Sequence, residues 1–182
     1  IVSADGGEIV NLTQSGYFDE SPRWVMDGNA IIFLSERYGM RNHASWGSES
    51  DVMMIFLNQD AYDKYRLSEE DYALYKEIEK EQKKSEKKDA DKKDKKADDK
   101  KEKVEDTKKI NVELEGIRDR IVRLTPYSSD ICDAIVTKDG ETLYYLSSAG
   151  KSYDLWKISL RKPGAKLSSK LDAGMTSMEM DA

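Results

Sequence analysis

One sequence pattern occurs twice in this chain and limits the fold more than any other feature. Residues 21–35 and 133–147 each contain a short apolar run, an Asp-Gly pair and a second apolar run. The Asp-Gly pair that begins at Asp27 recurs at Asp139, which is 112 residues later. Asp-Gly favours a tight hairpin turn, because both positions tolerate positive φ at low cost. The pattern therefore predicts a repeated β unit, with a large insertion between the two copies.

Two further strands complete each copy and define the length of the repeat. A third strand is predicted at residues 51–57 in the first copy and at 154–160 in the second. The predicted fourth strands contain Leu124 and Leu171, which are 47 residues apart. Four strands in about 40–50 residues is the period of a β-propeller blade. The sequence thus predicts an all-β fold, a partial β-propeller of two four-stranded antiparallel blades plus half a blade, with a helical and disordered charged insertion.

The second strand of each copy supports stacked sheets. Residues 31–34 and 143–146 are continuously apolar, whereas a strand with one face in water alternates between apolar and polar residues. Both faces of these strands must therefore be covered, as they are when blades pack face to face. A stack of so few blades leaves its end faces bare, and we expect it either to be marginally stable in isolation or to associate into an oligomer.

The insertion has a helical part and a charged part. Residues 68–71 resemble a helix-capping box, with Leu67 and Tyr72 at the two staple positions. Tyr72, Tyr75 and Ile78 then form one apolar helical face, which is expected to pack on its own blade or on a partner domain. Residues 80–109 hold 14 Lys and 10 Asp or Glu without an apolar stripe, which is typical of a solvated, largely disordered segment. The alternative for its start is helix that continues the one before it.

These predictions give an order of segments along the chain. They are the end of a preceding blade at 1–13, a blade at 14–57 and 116–125, a helical insertion at 58–79, a charged disordered linker at 80–109, the next blade at 126–171, and the start of a following blade at 172–182. The chain starts at Ile1 rather than at methionine, and we expect it to be cut from a longer protein.

Composition argues against two classes of partner. Outside residues 80–109 the chain has 16 basic and 26 acidic residues, and this acidic remainder does not suit nucleic acid, whose phosphates require neutralisation. No apolar run approaches the roughly 20 residues of a membrane span, and this chain contains no signal peptide. The single cysteine, Cys132, precedes a predicted strand and is interpreted as a small buried hydrophobe.

The order of short motifs in the first copy resembles the TolB-like propeller repeat. The motifs are Leu-Thr at 12–13, Ser-Pro-Arg-Trp at 21–24, Asp-Gly at 27–28, Ile-Phe-Leu-Ser at 32–35 and Asp-Val-Met at 51–53. The second copy matches more loosely, because Val136 stands where the first copy has Trp24. We expect Trp24 and Trp156, both on strands, to pack between blades.

A more specific resemblance comes from the loop after the second strand. The runs Arg-Tyr-Gly-Met-Arg at 37–41 and Ser-Trp-Gly-Ser at 45–48, followed by the charged insertion, resemble the N-terminal propeller of Bacteroidetes-type tricorn-like serine peptidases. In that family the propeller precedes a PDZ-like domain and a catalytic domain, and the protein is exported. The resemblance implies a periplasmic or otherwise exported, non-catalytic module that guides or gates peptide substrates. The alternative is a TolB-like protein-binding propeller with no protease attached.

The candidate contact residues lie in this same loop. They are Arg37, Arg41, His43 and Trp46, which would contact a peptide or protein substrate or the rest of the parent chain. Trp46 could instead anchor the loop on its blade. His43 is the single histidine, so a catalytic triad would have to use it with Ser45, Ser48 or Asp51, but neighbours in sequence on one loop rarely form a triad. A metal site of His43, Glu49 and Asp51 would need further ligands at a spacing that the sequence does not supply. No catalytic residue, cofactor or metal is therefore expected.

Overall fold

The computed structural model describes residues 1–41, 47–93, 109–148, 150–162, 164–174 and 176–180. These residues form two four-stranded antiparallel sheets, each with its strands in chain order. The first blade consists of β1 (Asp19–Val25), β2 (Ala30–Ser35), β3 (Asp51–Phe56) and β4 (Ile121–Arg123). The second consists of β5 (Asp130–Val136), β6 (Thr142–Ser148), β7 (Tyr153–Ser159) and β8 (Ala165–Ala173). The predicted all-β fold with two four-stranded blades is confirmed.

Both Asp-Gly pairs form the predicted hairpin turns. In the first blade Asp27 and Gly28 have φ of 53° and 83°, which is the left-handed region that this turn requires. In the second blade Gly140 has φ of 71°, and its N–H donates to the carbonyl of Thr137 at 2.8 Å. Asp139 Oδ1 accepts the N–H of Glu141 at 3.0 Å, so the aspartate closes the turn with its own side chain.

The two blades pack face to face, which explains the continuously apolar strands. Every residue of β2 and β3 is buried. One apolar cluster fills the space between the blades, and a second lies on the opposite face of the first blade. The inter-blade cluster includes Ile32, Leu34, Val52, Met54, Phe56, Ile131, Ala134, Leu143 and Tyr145. The opposite face presents Ile31, Phe33, Met53, Ile55 and Leu57.

The outer face of the first blade is partly covered, although we expected a bare surface there. Ile1, Val10 and Leu12 pack on it from the N-terminal segment, and Val112 and Ile117 pack on it from the end of the insertion. Ile1 and Val10 exchange two main-chain hydrogen bonds of 2.8 Å. Residues 9–13, within the segment predicted as the end of a preceding blade, do not form a continuous strand.

Trp24 and the fourth strand also differ from prediction. Trp24 points to the outer face and is 54% exposed, so it does not pack between the blades. Trp156 does pack against the inter-blade cluster. The predicted strand over residues 117–125 begins as a 3₁₀ turn at Ile117–Arg120, because Arg120 turns inward to donate to the main-chain carbonyls of Phe56 and Glu115.

The insertion contains two helices, α1 (Gln59–Arg66) and α2 (Glu69–Lys93). Asn58 caps α1 by accepting the N–H of Ala61 at 2.9 Å, and Ser68 Oγ accepts the N–H of Asp71 at 3.1 Å in the predicted cap of α2. Residues 80–109 are predicted as a charged disordered linker, with helix at its start as the alternative. Helix-favouring Lys and Glu continue α2 to Lys93, so the disorder is corrected for 80–93 in favour of that alternative, and residues 94–108 lie outside the described part. Neither helix is long and apolar enough to cross a membrane.

Candidate functional site

A groove of about 890 Å³ lies at the junction of the two blades. It is lined by Gly47, Ser48 and Glu49 from the loop between β2 and β3, by residues 127–130, and by Tyr145, Trp156 and Ala165 of the second blade. The groove therefore combines a loop of the first blade, the connection between the two blades and strands of the second blade.

The loop between β2 and β3 forms one wall and folds back on itself. Arg41 and Ser48 form an antiparallel bridge, and the N–H of Glu49 donates to the carbonyl of Met40 at 3.0 Å. Gly39 lies directly against the carbonyl of Glu49, where any Cβ atom would collide with the main chain. This close approach holds the 47–49 segment beside the second blade.

The candidate residues of this loop are not gathered in the groove. Arg37 and Arg41 lie instead near the ring of Tyr17, with guanidinium carbons 6.0 and 4.6 Å from its centre. His43 and Trp46 lie outside the described residues. The proposed contact role of these four side chains stays a prediction.

A buried carboxylate fixes the floor of the groove. Asp51, at the start of β3, is fully buried, and its Oδ1 accepts hydrogen bonds from Arg123 Nε at 2.9 Å and Thr125 Oγ1 at 2.7 Å. Its Oδ2 accepts from Ser128 Oγ at 2.8 Å. Three donors on a single carboxylate tie the end of β4 and the connection to β5 onto β3. This connection carries residues 127–130 of the groove.

The same repeat position has the same structural role in the second blade. Asp154, at the corresponding point of β7, accepts the main-chain N–H groups of Leu171 and Asp172 at 2.8 and 3.1 Å. In both blades the aspartate of the Asp-aliphatic motif therefore joins the third strand to the end of the fourth. The motif is a structural feature of the repeat rather than a ligand site.

The groove surface is aromatic, hydroxyl-rich and acidic. Tyr127 is 80% exposed at its rim, and the hydroxyls of Ser129 and Ser147 are hydrogen-bonded to each other at 2.8 Å. Glu49 and Asp130 are its charged lining residues. Such a surface can bind an extended chain by ring contacts and hydrogen bonds. Sequence reasoning missed it, because residues 127–130 had only the signals of a turn.

The described residues offer no arrangement for covalent or metal chemistry at this surface. No group of three or more His, Cys, Asp or Glu among them is placed to hold a metal ion. The thiol of Cys132 donates to the carbonyl of Thr176 at 3.4 Å, and burial raises its pKa, which disfavours the nucleophilic thiolate.

An alkaline-pH prediction tests the contact beneath the groove. Burial, together with the hydrogen bond from its hydroxyl to Asp130 at 2.9 Å, raises the pKa of Tyr153 to about 12. In the unfolded chain tyrosine releases its proton near pH 10, so between about pH 10 and about pH 12 the unfolded state binds fewer protons and stability falls. Tyr153→Phe should lose less stability than the unmodified chain over this range, as measured by denaturant unfolding at several pH values.

Tyr127→Phe serves as the control, since Tyr127 is exposed and its hydroxyl has no described partner to lose. Lysine deprotonation in the same range affects all three proteins alike. Parallel stability curves for Tyr153→Phe and the unmodified chain would contradict the buried contact.

Comparisons with known proteins bear on the fold. A scan against models of protein families finds no match, and a search of curated proteins finds none either. Among solved structures, the crystal structure of the tricorn protease matches with a TM-score of 0.52 over 92% of this chain, at 11% sequence identity. The chain covers 15% of the tricorn protease chain. The protein therefore has a tricorn-like β-propeller fold, of which two blades are described.

Proposed function

We propose that this chain is a non-catalytic propeller module of an exported tricorn-like serine peptidase, in which it guides or gates peptide substrates. The observation that carries the proposal is the groove between the blades, which has binding chemistry and no catalytic constellation among the described residues. The similarity in fold to the tricorn protease supports a propeller-type module. The TolB-like repeats, the Bacteroidetes-type parent and the periplasmic location belong to the same proposal.

The chemistry of the groove favours a peptide in extended form. Tyr127 and Trp156 supply flat apolar surface for side chains, as aromatic residues do in many recognition sites. The hydroxyls of the neighbouring serines can donate to peptide carbonyls and accept from peptide N–H groups. A groove of about 890 Å³ accommodates a few residues of such a chain rather than a folded domain.

The test is a kinetic measurement on the parent enzyme carrying Tyr127→Ala and Glu49→Gln together. Both residues line the groove, and neither belongs to the inter-blade core. We expect kcat/KM for peptide substrates to fall by about tenfold, the size of effect expected when an aromatic contact is removed. Thermal stability should stay within the error of the unmodified enzyme, because Tyr127 is exposed.

Phe18→Ala is the matched control, because Phe18 is 74% exposed and does not line the groove. Substituting Arg41, His43 and Trp46 together in the same assay tests these three loop residues separately from Tyr127 and Glu49. If the groove variant and the control have the same kcat/KM, the groove does not guide substrate. A parent reading frame without a downstream catalytic domain would favour the TolB-like binding propeller instead.

A further inference from the structure

The first three turns of α2 present a face that no described part of the chain covers. On one side of the helix Tyr72 is buried, with the guanidinium carbon of Arg161 lying 3.4 Å from the centre of its ring. Leu74 and Ile78 lie on the opposite side and are 57% and 47% exposed. Residues four apart share one helical face, so these two side chains form a continuous apolar patch. The predicted apolar face thus divides, with Tyr72 packed and the rest open.

Charges are segregated around this patch. Glu70, Glu77 and Glu81 are exposed and follow the same helical spacing, at i−4, i+3 and i+7 relative to Leu74. Lys76 lies on the packed side instead, with its ammonium 4.5 Å from the centre of the Tyr72 ring. We use the name outer face for Glu70, Leu74, Glu77, Ile78 and Glu81. It has two apolar residues at its centre and three glutamates around them, with Lys84 one turn beyond Glu81.

We propose that the outer face docks a basic amphipathic segment of a partner protein, one that places lysine or arginine around its own apolar residues. Binding of helices through apolar anchors with a charged rim is a common recognition mode. A second copy of the outer face does not fit, because it would oppose three glutamates with three more. An anionic lipid surface is repelled for the same reason. The proposal holds whether or not the groove binds peptide.

The probe is a synthetic 18-residue amphipathic helix of leucine and lysine, compared with a matched peptide of leucine and glutamate. Binding to the full chain is measured by fluorescence anisotropy, and the contact is mapped by amide chemical shifts. The leucine-lysine peptide should bind, perturb residues 69–82 and weaken as salt is added. The leucine-glutamate peptide should not bind.

Charge reversal tests whether the rim sets this preference. Glu70→Lys, Glu77→Lys and Glu81→Lys together should lower affinity for the leucine-lysine peptide at least about tenfold, because three attractive charge pairs are replaced by repulsive ones. The same variant should gain affinity for the leucine-glutamate peptide. Lysine and glutamate favour helix about equally, so α2 should persist, and circular dichroism checks this.

A second triple variant controls for net charge, because the unmodified chain carries a formal charge of −6. Asp5→Lys, Glu8→Lys and Glu20→Lys change the charge by the same amount at exposed positions away from α2. This variant should keep most of its affinity for the leucine-lysine peptide. An equal loss of affinity in both triple variants would overturn the proposal. Amide chemical-shift changes that map outside α2 would also overturn it. So would self-association of the chain, measured by sedimentation, that Leu74→Ser abolishes.

Discussion

Replacing Arg161 with alanine should lower the free energy of unfolding by about 2–4 kcal/mol, the range expected when one partner of a largely buried ion pair is removed. Its side chain is 7% exposed, and its Nε lies 3.2 Å from Glu141 Oε2. The guanidinium also donates to the main-chain carbonyls at the end of α1, those of Lys64, Tyr65 and Leu67, at 3.0–3.3 Å. Alanine would leave these acceptors without their donor. Equilibrium unfolding in urea measures the loss.

The adjacent residue provides a matched control. Lys162 forms an ion pair with Glu69 at 2.8 Å, but both side chains are 61% exposed. Lys162→Ala should therefore change stability by less than about 0.5 kcal/mol. Arg161→Lys should fall between the two, because an ammonium keeps the charge but cannot reach several carbonyls at once. Equal losses of stability from Arg161→Ala and Lys162→Ala would show that the buried contacts of Arg161 stabilise the fold no more than an exposed ion pair does.

The contacts of Arg161 show how the insertion is held. Phe56 at the end of β3 packs against Tyr65 of α1 with ring centres 4.9 Å apart, so the insertion stays attached to the blade from which it leaves. Arg161, in the turn between β7 and β8, then joins the same helix to the next blade. The insertion therefore bridges two neighbouring blades. We had predicted packing on its own blade or on a partner domain, and contact with the second blade was not foreseen.

The parts of the fold that sequence reasoning predicted correctly depend on local chemistry. The Asp27-Gly28 and Asp139-Gly140 pairs determine their turns through backbone preferences that act within four residues. Continuously apolar strands such as β2 indicate burial on both faces without knowledge of what covers them. Ser68 marks the start of α2 by the same kind of short-range signal. Repetition of these signals at a constant offset then identified the blade.

The parts that sequence reasoning missed depend on contacts between distant residues. Arg161 appears in the sequence as one charge in a turn, and its main-chain acceptors at the end of α1 are more than 90 residues earlier in the chain. Trp24 satisfies the strand pattern, but alternation does not reveal which neighbour covers its face. The groove combines the 47–49 segment of the first blade with Tyr127 of the connection between the blades and with strands of the second blade. A single sequence contains no local signal for any of these.

The second large effect is expected at the carboxylate beneath the groove. Asp51→Asn should lower the free energy of unfolding by about 2–4 kcal/mol, because a fully buried charged acceptor is replaced by a neutral group with its own donors. The asparagine oxygen can serve one part of the network. If its NH₂ group faces Arg123 and Thr125, those donors lose their acceptor. If it faces Ser128, that hydroxyl must turn from donor to acceptor, and the contacts to Arg123 and Thr125 lose the carboxylate charge that strengthens them. Urea unfolding measures the change.

Asp154→Asn tests the equivalent position of the second blade and should cost only about 1 kcal/mol, since Asp154 is half-buried and accepts two main-chain N–H groups that water can also reach. A double-mutant cycle of Asp51→Asn with Arg123→Gln should show a coupling of about 1 kcal/mol or more, as expected for groups in one hydrogen-bond network. Equal losses of stability from Asp51→Asn and Asp154→Asn, without coupling between Asp51 and Arg123, would mean that both aspartates act only as polar residues at the start of their strands. The groove floor would then owe its stability to main-chain pairing, such as that between Ser50 and Ser129.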